Sequence, residues 1–302
     1  GETLLVDQVF KYPNWSQDLR KCYDLYPNLK IVFTGSSVMK LKEANLDIGD
    51  VVHSYNLHGF SFREYIGVMT NIELPSYSLG EITSNHRAIV ADIIDKVDID
   101  KHFTDYIHHG YYPFFLEKRN YSENLLKTMN MMLEVDVLYI QEIEQSYLIK
   151  IRKLFYLLAI QSPTSPNVSQ LSNECGISRA TVMNYLKYLQ DARLINMLYK
   201  VGVSFPKKPN KVYMNNTNIV FPIKRNGVDR QALCETFFYN QLNALEVVNK
   251  SGRKDQFLIN GKYQFKIEFQ NKKNAKNQSR FLVVDTKQTE DEGSRSEKHT
   301  SE

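Results

Sequence analysis

Two short stretches near the start of the chain place oxygen donors where a phosphorylated ligand could be handled. Leu4, Leu5 and Val6 run into Asp7 and Gln8, and Ile31, Val32 and Phe33 run into Thr34, Gly35, Ser36 and Ser37. An apolar run that closes on a carboxylate reads as a buried parallel strand. Such a strand delivers its acid to the C-terminal edge of the sheet, where open α/β sheets bind ligands. A carboxylate on one strand and small hydroxyls on the next suit Mg²⁺, which takes hard oxygen ligands, and a terminal phosphate. The candidate set at this edge is Asp7, Gln8, Thr34 and Ser36, with Asp7 as the metal ligand.

Two further sets of side chains lie downstream. On the stretch Ser178–Ala192, Val182, Tyr185, Leu186 and Leu189 form an apolar stripe at helical spacing, while Ala180, Asn184 and Lys187 point away and Thr181 sits at the margin. With Arg179 at the helix start, Arg179, Thr181, Asn184 and Lys187 are the candidates for contact with DNA, although this face ends in Asp191. Toward the C-terminus, Glu235, Asp255, Glu268 and Gln270 form the other set, whose reading rests on the family resemblance given below. Neighbouring His108 and His109 diverge on a helix and read as part of a packed turn rather than a metal site.

The elements that must carry these residues follow from periodicity. Trp15, Leu19, Cys22 and Tyr23 predict a helix covering the first two strands, and Val51–Leu57 is a candidate next strand. Ser61 with Glu64 three residues on has capping-box spacing. The region 76–150 is predicted mostly helical. Residues 151–216 carry a helix, a short helix closed by Gly176, the helix from Ser178, then apolar runs at 194–199 and 212–216, which is the plan of a helix-turn-helix with a β-wing. A helix at 232–245 precedes paired strands at 256–259 and 263–270, with Gly261 in the turn, and a further strand at 281–285. From 286 onward the chain is polar and is predicted disordered.

Composition sets limits. The 302 residues (35.2 kDa) allow two or three domains, and a net charge of +4 with pI near 8.7 permits nucleic-acid contact without arguing for it. The cysteines, Cys22, Cys175 and Cys234, have no paired spacing, which fits a reducing compartment without disulfides or zinc. No apolar run is long enough to span a bilayer, so a cytoplasmic protein is expected.

These pieces, in this order, resemble the prokaryotic AAA-like P-loop ATPases that carry a winged helix and a C-terminal, restriction-nuclease-like domain of the DUF4143 type. The markers are the Leu4–Asp7 strand, Tyr12 to Trp15, Thr34 to Ser37, Phe60 to Tyr65, Gly110 to Pro113, Tyr213 to Asn216 and Glu235 to Phe238. The resemblance implies ATP and Mg²⁺ as ligands, with Asp7 organising the metal and Thr34 and Ser36 sensing the terminal phosphate. It also marks departures. No Gly-x-x-x-x-Gly-Lys-Ser/Thr phosphate loop occurs, and the family's catalytic glutamate is Gln8, whose amide cannot take a proton from the attacking water. Asp47, Ile48, Gly49, Asp50 and Val51 stand where the family carries arginines. For the nuclease-like domain the resemblance implies that Glu235 matches the helix acid, that Asp255 lies one residue from the position of the next acid, and that Glu268 and Gln270 fall where an acid and the nuclease lysine belong.

The expected architecture is therefore the second half of an α/β P-loop domain (1–75), which starts inside the domain just before its Walker-B strand. A helical lid (76–150), a winged helix (151–216), a worn α+β nuclease-like unit (217–285) and a tail (286–302) follow. The expected function is ATP binding with deficient hydrolysis. The alternative is a non-enzymatic DNA- or protein-binding module, monomeric or oligomeric, acting through the winged helix and the basic loops at 200–225.

Overall fold

The computed structural model describes residues 1–35, 47–117, 120–139, 143–224, 227–252, 256–267 and 280–283. Ser36, Asp255, Glu268, Gln270 and the 286–302 tail lie outside the described residues.

The chain opens with β1 (Thr3–Val6), α1 (Trp15–Leu25) and β2 (Lys30–Phe33). The two strands pair in parallel, Thr3 opposite Lys30 and Val6 opposite Phe33. A crossover helix on one face is what a parallel pair requires. Helix α1 covers that face, with Leu19 buried and Trp15 set 5.7 Å from the Phe33 ring. The other face is open: Leu5 is 73% exposed and its partner Val32 43%. The expectation of strands buried on both faces is corrected here, because only one face has a covering layer among the described residues. Val51–Leu57 is not a strand either. It is an irregular, exposed segment whose Tyr55 and Leu57 are each 90% in solvent. Its neighbours hold it through hydrogen bonds outside any sheet, described below.

Helix α2 (Phe62–Thr70) starts at the capping box: the Glu64 N–H donates to Ser61 Oγ and the Ser61 N–H donates to Glu64 Oε2. Helices α3 (Leu79–Lys96) and α4 (Ile99–His109) follow, then α5 (Tyr121–Met131) running into a π-helical segment, Met132–Tyr139. Ser78 caps α3 with Glu81 by the same device.

Next come α6 (Leu148–Gln161), α7 (Val168–Cys175) and α8 (Arg179–Asp191), with Gly176 in the left-handed conformation closing α7 and Ser178 capping α8. Strands β3 (Ile195–Leu198) and β4 (Lys211–Met214) then form an antiparallel pair. Residues on a strand alternate between faces, and this hairpin uses both. Ile195, Met197, Val212 and Met214 enter the largest core, with Val182, Leu186 and Leu189 of α8 and Leu154 and Leu158 of α6. Leu198 and Tyr213 enter a second core, with Tyr239, Phe257 and Phe265. The hairpin is thus an internal wall between two hydrophobic cores.

The second core belongs to the last unit. The short α9 (Val220–Ile223) leads to α10 (Arg230–Asn243), which is followed by β5 (Val248–Lys250), β6 (Gln256–Ile259), β7 (Tyr263–Ile267) and β8 (Arg280–Val283). These strands form one sheet in the order β5-β6-β7-β8, antiparallel except for the parallel β7–β8 pair. Strand β5 has no counterpart in the sequence expectations, since three residues are too few to show alternation. It is joined to the hairpin where the Lys250 N–H donates to the Tyr199 carbonyl (2.7 Å).

Candidate functional site

At the C-terminal edge of β1 and β2, the Thr34 hydroxyl donates to Asp7 Oδ1 and accepts from the Gln8 N–H (2.9 Å). The Val9 N–H donates to the Thr34 carbonyl (3.0 Å), so the two strand ends stay in register beyond the sheet. Gln8 has φ 52° and ψ 55°, a left-handed conformation that costs a non-glycine residue roughly 1 kcal/mol. That turn sends the chain sharply away from the sheet and leaves the carboxylate and hydroxyl exposed at the edge. The structure therefore brings Asp7, Gln8 and Thr34 together.

Asp7 and Thr34 are oxygen donors of the hard type that Mg²⁺ takes. Phosphate would need backbone N–H groups and a lysine, and no glycine-rich phosphate-loop motif is present in the sequence to supply them. The donor set fits the metal side of a nucleotide complex, and the described residues of this edge, Asp7, Gln8, Thr34 and Gly35, include no lysine for the phosphate chain.

The turn 47–50, where the resemblance would place arginines, is docked on α1. The Ser16 hydroxyl donates to Asp47 Oδ2 (2.7 Å), Arg20 pairs with Asp50 (2.9 Å) and Asp24 (3.1 Å), and Ile48 is buried beneath. Arg20 is thus occupied by two carboxylates. Arg63 donates to the Leu74 carbonyl (3.3 Å), a tie within its own unit.

On α8 the predicted stripe is the buried one: Val182, Tyr185, Leu186 and Leu189 are all in the core. Arg179 and Asn184 are exposed and Thr181 is half-buried, its N–H donating to the Ser178 cap (3.0 Å). Lys187 forms an ion pair with Asp191 one turn on, which neutralises much of its field. The wing expected to flank this helix on DNA is the internal hairpin β3–β4, so its strands are not available to a groove.

Glu235 on α10 is buried and well supplied with donors. Its Oε2 accepts from Lys211 Nζ (3.1 Å) and the Tyr213 hydroxyl (3.2 Å), and its Oε1 accepts from Gln231 Nε2 (3.1 Å). A cation already sits where a metal would have to bind, and it ties β4 to α10. His108 and His109 also have structural surroundings. His108 stacks on Phe221 (3.7 Å between centroids) and His109 meets Tyr121 edge-on. Burial, then the neighbouring His109, holds the His108 imidazole below its ordinary value. Among the described residues no three His, Cys, Asp or Glu side chains cluster as metal ligands, and no helix is long and apolar enough to cross a membrane.

The polar centre that sequence reasoning missed surrounds Asn218. This fully buried amide accepts from the Tyr111 N–H (2.8 Å) and the Tyr121 hydroxyl (2.5 Å), and donates to the carbonyls of Tyr106 (2.9 Å) and Ile107 (2.7 Å). The Tyr106 hydroxyl donates to the Phe60 carbonyl (2.7 Å) and accepts from Gln241 Nε2 (2.9 Å), while Gln241 Oε1 accepts from the Phe62 N–H (2.9 Å). Burial raises the Tyr106 hydroxyl far above its ordinary range. The rings of Phe62, Tyr65 and Phe237 pack against that of Tyr106, and Phe103 meets Phe62 and Phe237. Gly59 and Gly110 permit the approach: a Cβ at Gly59 would lie 2.4 Å from the Tyr111 ring, and one at Gly110 would lie 2.7 Å from Tyr106 Cα. The cluster of amides at 215, 216 and 218 between apolar runs was the available signal.

Comparison with known proteins finds matches to two parts of the chain. Residues 1–66 match a family described as AAA domain, and residues 100–223 match a domain of unknown function, DUF8612. The uncharacterized protein MJ1637 of Methanocaldococcus jannaschii is 28% identical over 214 residues, 69% of this chain and 44% of that protein. The chain thus spans less than half the length of this curated relative. No solved structure matches. The opening of the chain is thus similar to an AAA domain over residues 1–66.

Proposed function

We propose that this chain is a nucleotide-binding protein of the AAA-like ATPase type, holding Mg-ATP without turning it over efficiently. The observation that supports this most is the contact between Asp7 and Thr34 at the C-terminal edge of a parallel strand pair, within the AAA-like region. In this reading Asp7 holds Mg²⁺, Thr34 and Ser36 serve the terminal phosphate, and Gln8 stands where a catalytic base belongs. An amide there can hydrogen-bond a water but cannot accept its proton. The 151–216 region is read as a winged helix and the 217–285 unit as a nuclease-like scaffold. In that unit Glu235 serves as a tether, because Lys211 already satisfies its charge.

The test is equilibrium binding of a fluorescent ATP analogue by the 302-residue chain with and without Mg²⁺. Mg²⁺-dependent binding that Asp7→Asn removes, with turnover gained on Gln8→Glu, is the expected result. Absence of Mg²⁺-dependent binding would overturn it.

A second reading, a DNA- or protein-binding module, is favoured by the exposed start of α8, where Arg179 and Asn184 face solvent. Salt-dependent duplex binding lost on substitution of Arg179 and Asn184 would support that reading.

A further inference from the structure

The segment between the AAA-like sheet and α2 is extended and exposed, and it is gripped at particular points. Arg193 Nη1 donates to the Leu57 carbonyl and Nη2 to Asn56 Oδ1 (3.0 Å). Further along, the Phe60 N–H donates to the Tyr111 carbonyl (2.8 Å). The buried residues of the opening unit, Val9, Leu19 and Ile48, belong to none of the three hydrophobic clusters that hold the rest of the molecule. Polar contacts to this segment therefore matter more to the unit's position than they would in a continuous core.

Arg193 itself is unusual. The Arg193 N–H donates to the Gln190 carbonyl and the Leu194 N–H donates to the Leu189 carbonyl (both 2.9 Å), the bond pattern of a Schellman C-cap on α8. The residue at this position takes a left-handed conformation, here φ 56°, and glycine is its usual occupant because it has no Cβ to strain. An arginine here gives up cap stability, and its side chain is spent on the 56–57 backbone and amide, two neutral acceptors on a distant segment.

We propose that Arg193 is a latch: it fixes the 53–57 strap, and through it the AAA-like unit, against the end of α8. The strap is the swinging element, and the latch couples its position to the helical body. This inference stands on the strap's geometry and does not depend on nucleotide binding.

Limited proteolysis with chymotrypsin tests it, since Tyr55 and Leu57 are the exposed apolar residues of the strap. In the full chain, Arg193→Gly should raise the rate of cleavage mapped to Tyr55 and Leu57 by about tenfold, the factor expected for loss of a charged hydrogen bond. The thermal midpoint should hold or rise, because glycine relieves the cap. Asn56→Ala, which removes one of the two bonds, should give a smaller increase. Unchanged cleavage in Arg193→Gly would overturn the latch. Faster cleavage accompanied by a lower thermal midpoint would also overturn it, since Arg193 would then be a plain stability residue.

Discussion

The Asn218 junction and the Asp7–Thr34 edge both gather polar groups from distant parts of the sequence, and they spend them differently. At the junction the amide of Asn218 has its donors and acceptors matched inside the protein, and aromatic rings exclude water around Tyr106. At the edge, Asp7 takes one hydroxyl and remains open to solvent. A buried polar group without a partner is costly, so saturation is what a structural site must show. A ligand site must keep lone pairs unspent. By that measure Glu235, with its lysine, tyrosine and glutamine donors, belongs with the junction.

The comparison is open to attack from its strong side first. Asn218→Ala takes the acceptor from the Tyr111 N–H and the Tyr121 hydroxyl in the interior, while the Tyr106 and Ile107 carbonyls keep the Gly110 N–H and the Thr217 hydroxyl, and should cost on the order of 4 kcal/mol in urea unfolding. A cost below about 1 kcal/mol would show that water reaches the junction. Lys211→Met leaves Glu235 as an unpaired buried carboxylate and should cost about 3 kcal/mol, with most of it recovered in the Lys211→Met, Glu235→Leu double variant. If millimolar Mg²⁺ instead raised the thermal midpoint of the wild type and not of Glu235→Gln, Glu235 would be a metal ligand after all.

A smaller effect is expected with pH. His108 titrates below its ordinary value in the folded chain, so the unfolded chain binds the proton more readily. Its contribution is present above about pH 6.5 and is lost as the pH falls below that. The thermal midpoint should decline from pH 7 to 5, and less steeply in His108→Gln. The smallest effect belongs to the edge: Thr34→Ala should change stability by less than about 0.5 kcal/mol. A loss comparable to that of Asn218→Ala would erase the distinction between the two regions.

Legibility followed the range of the interactions. Helix α8 with its Ser178 cap and its stripe from Val182 to Leu189, the Gly176 stop of α7 and the Ser61 capping box are local, and the sequence displays them because period and cap lie within a few residues. The Asp7–Thr34 contact was legible for a related reason: parallel strands flanking one helix bring their ends to the same edge. Val51–Leu57 misled because an apolar-polar alternation specifies a strand only where a sheet edge is offered to it. That the β3–β4 hairpin is covered on both sides was not legible, because alternation shows two faces without saying what packs on each.

What the sequence determined by itself was therefore the kind and order of most helices and strands and the edge where Asp7 and Thr34 meet. Only the tertiary structure decided that Lys211 neutralises Glu235, that Asn218 binds α4 to the start of α5, and that Arg193 reaches the strap. Those pairings join residues far apart in the chain. No local pattern encodes them, since each depends on how separately folded faces come to pack.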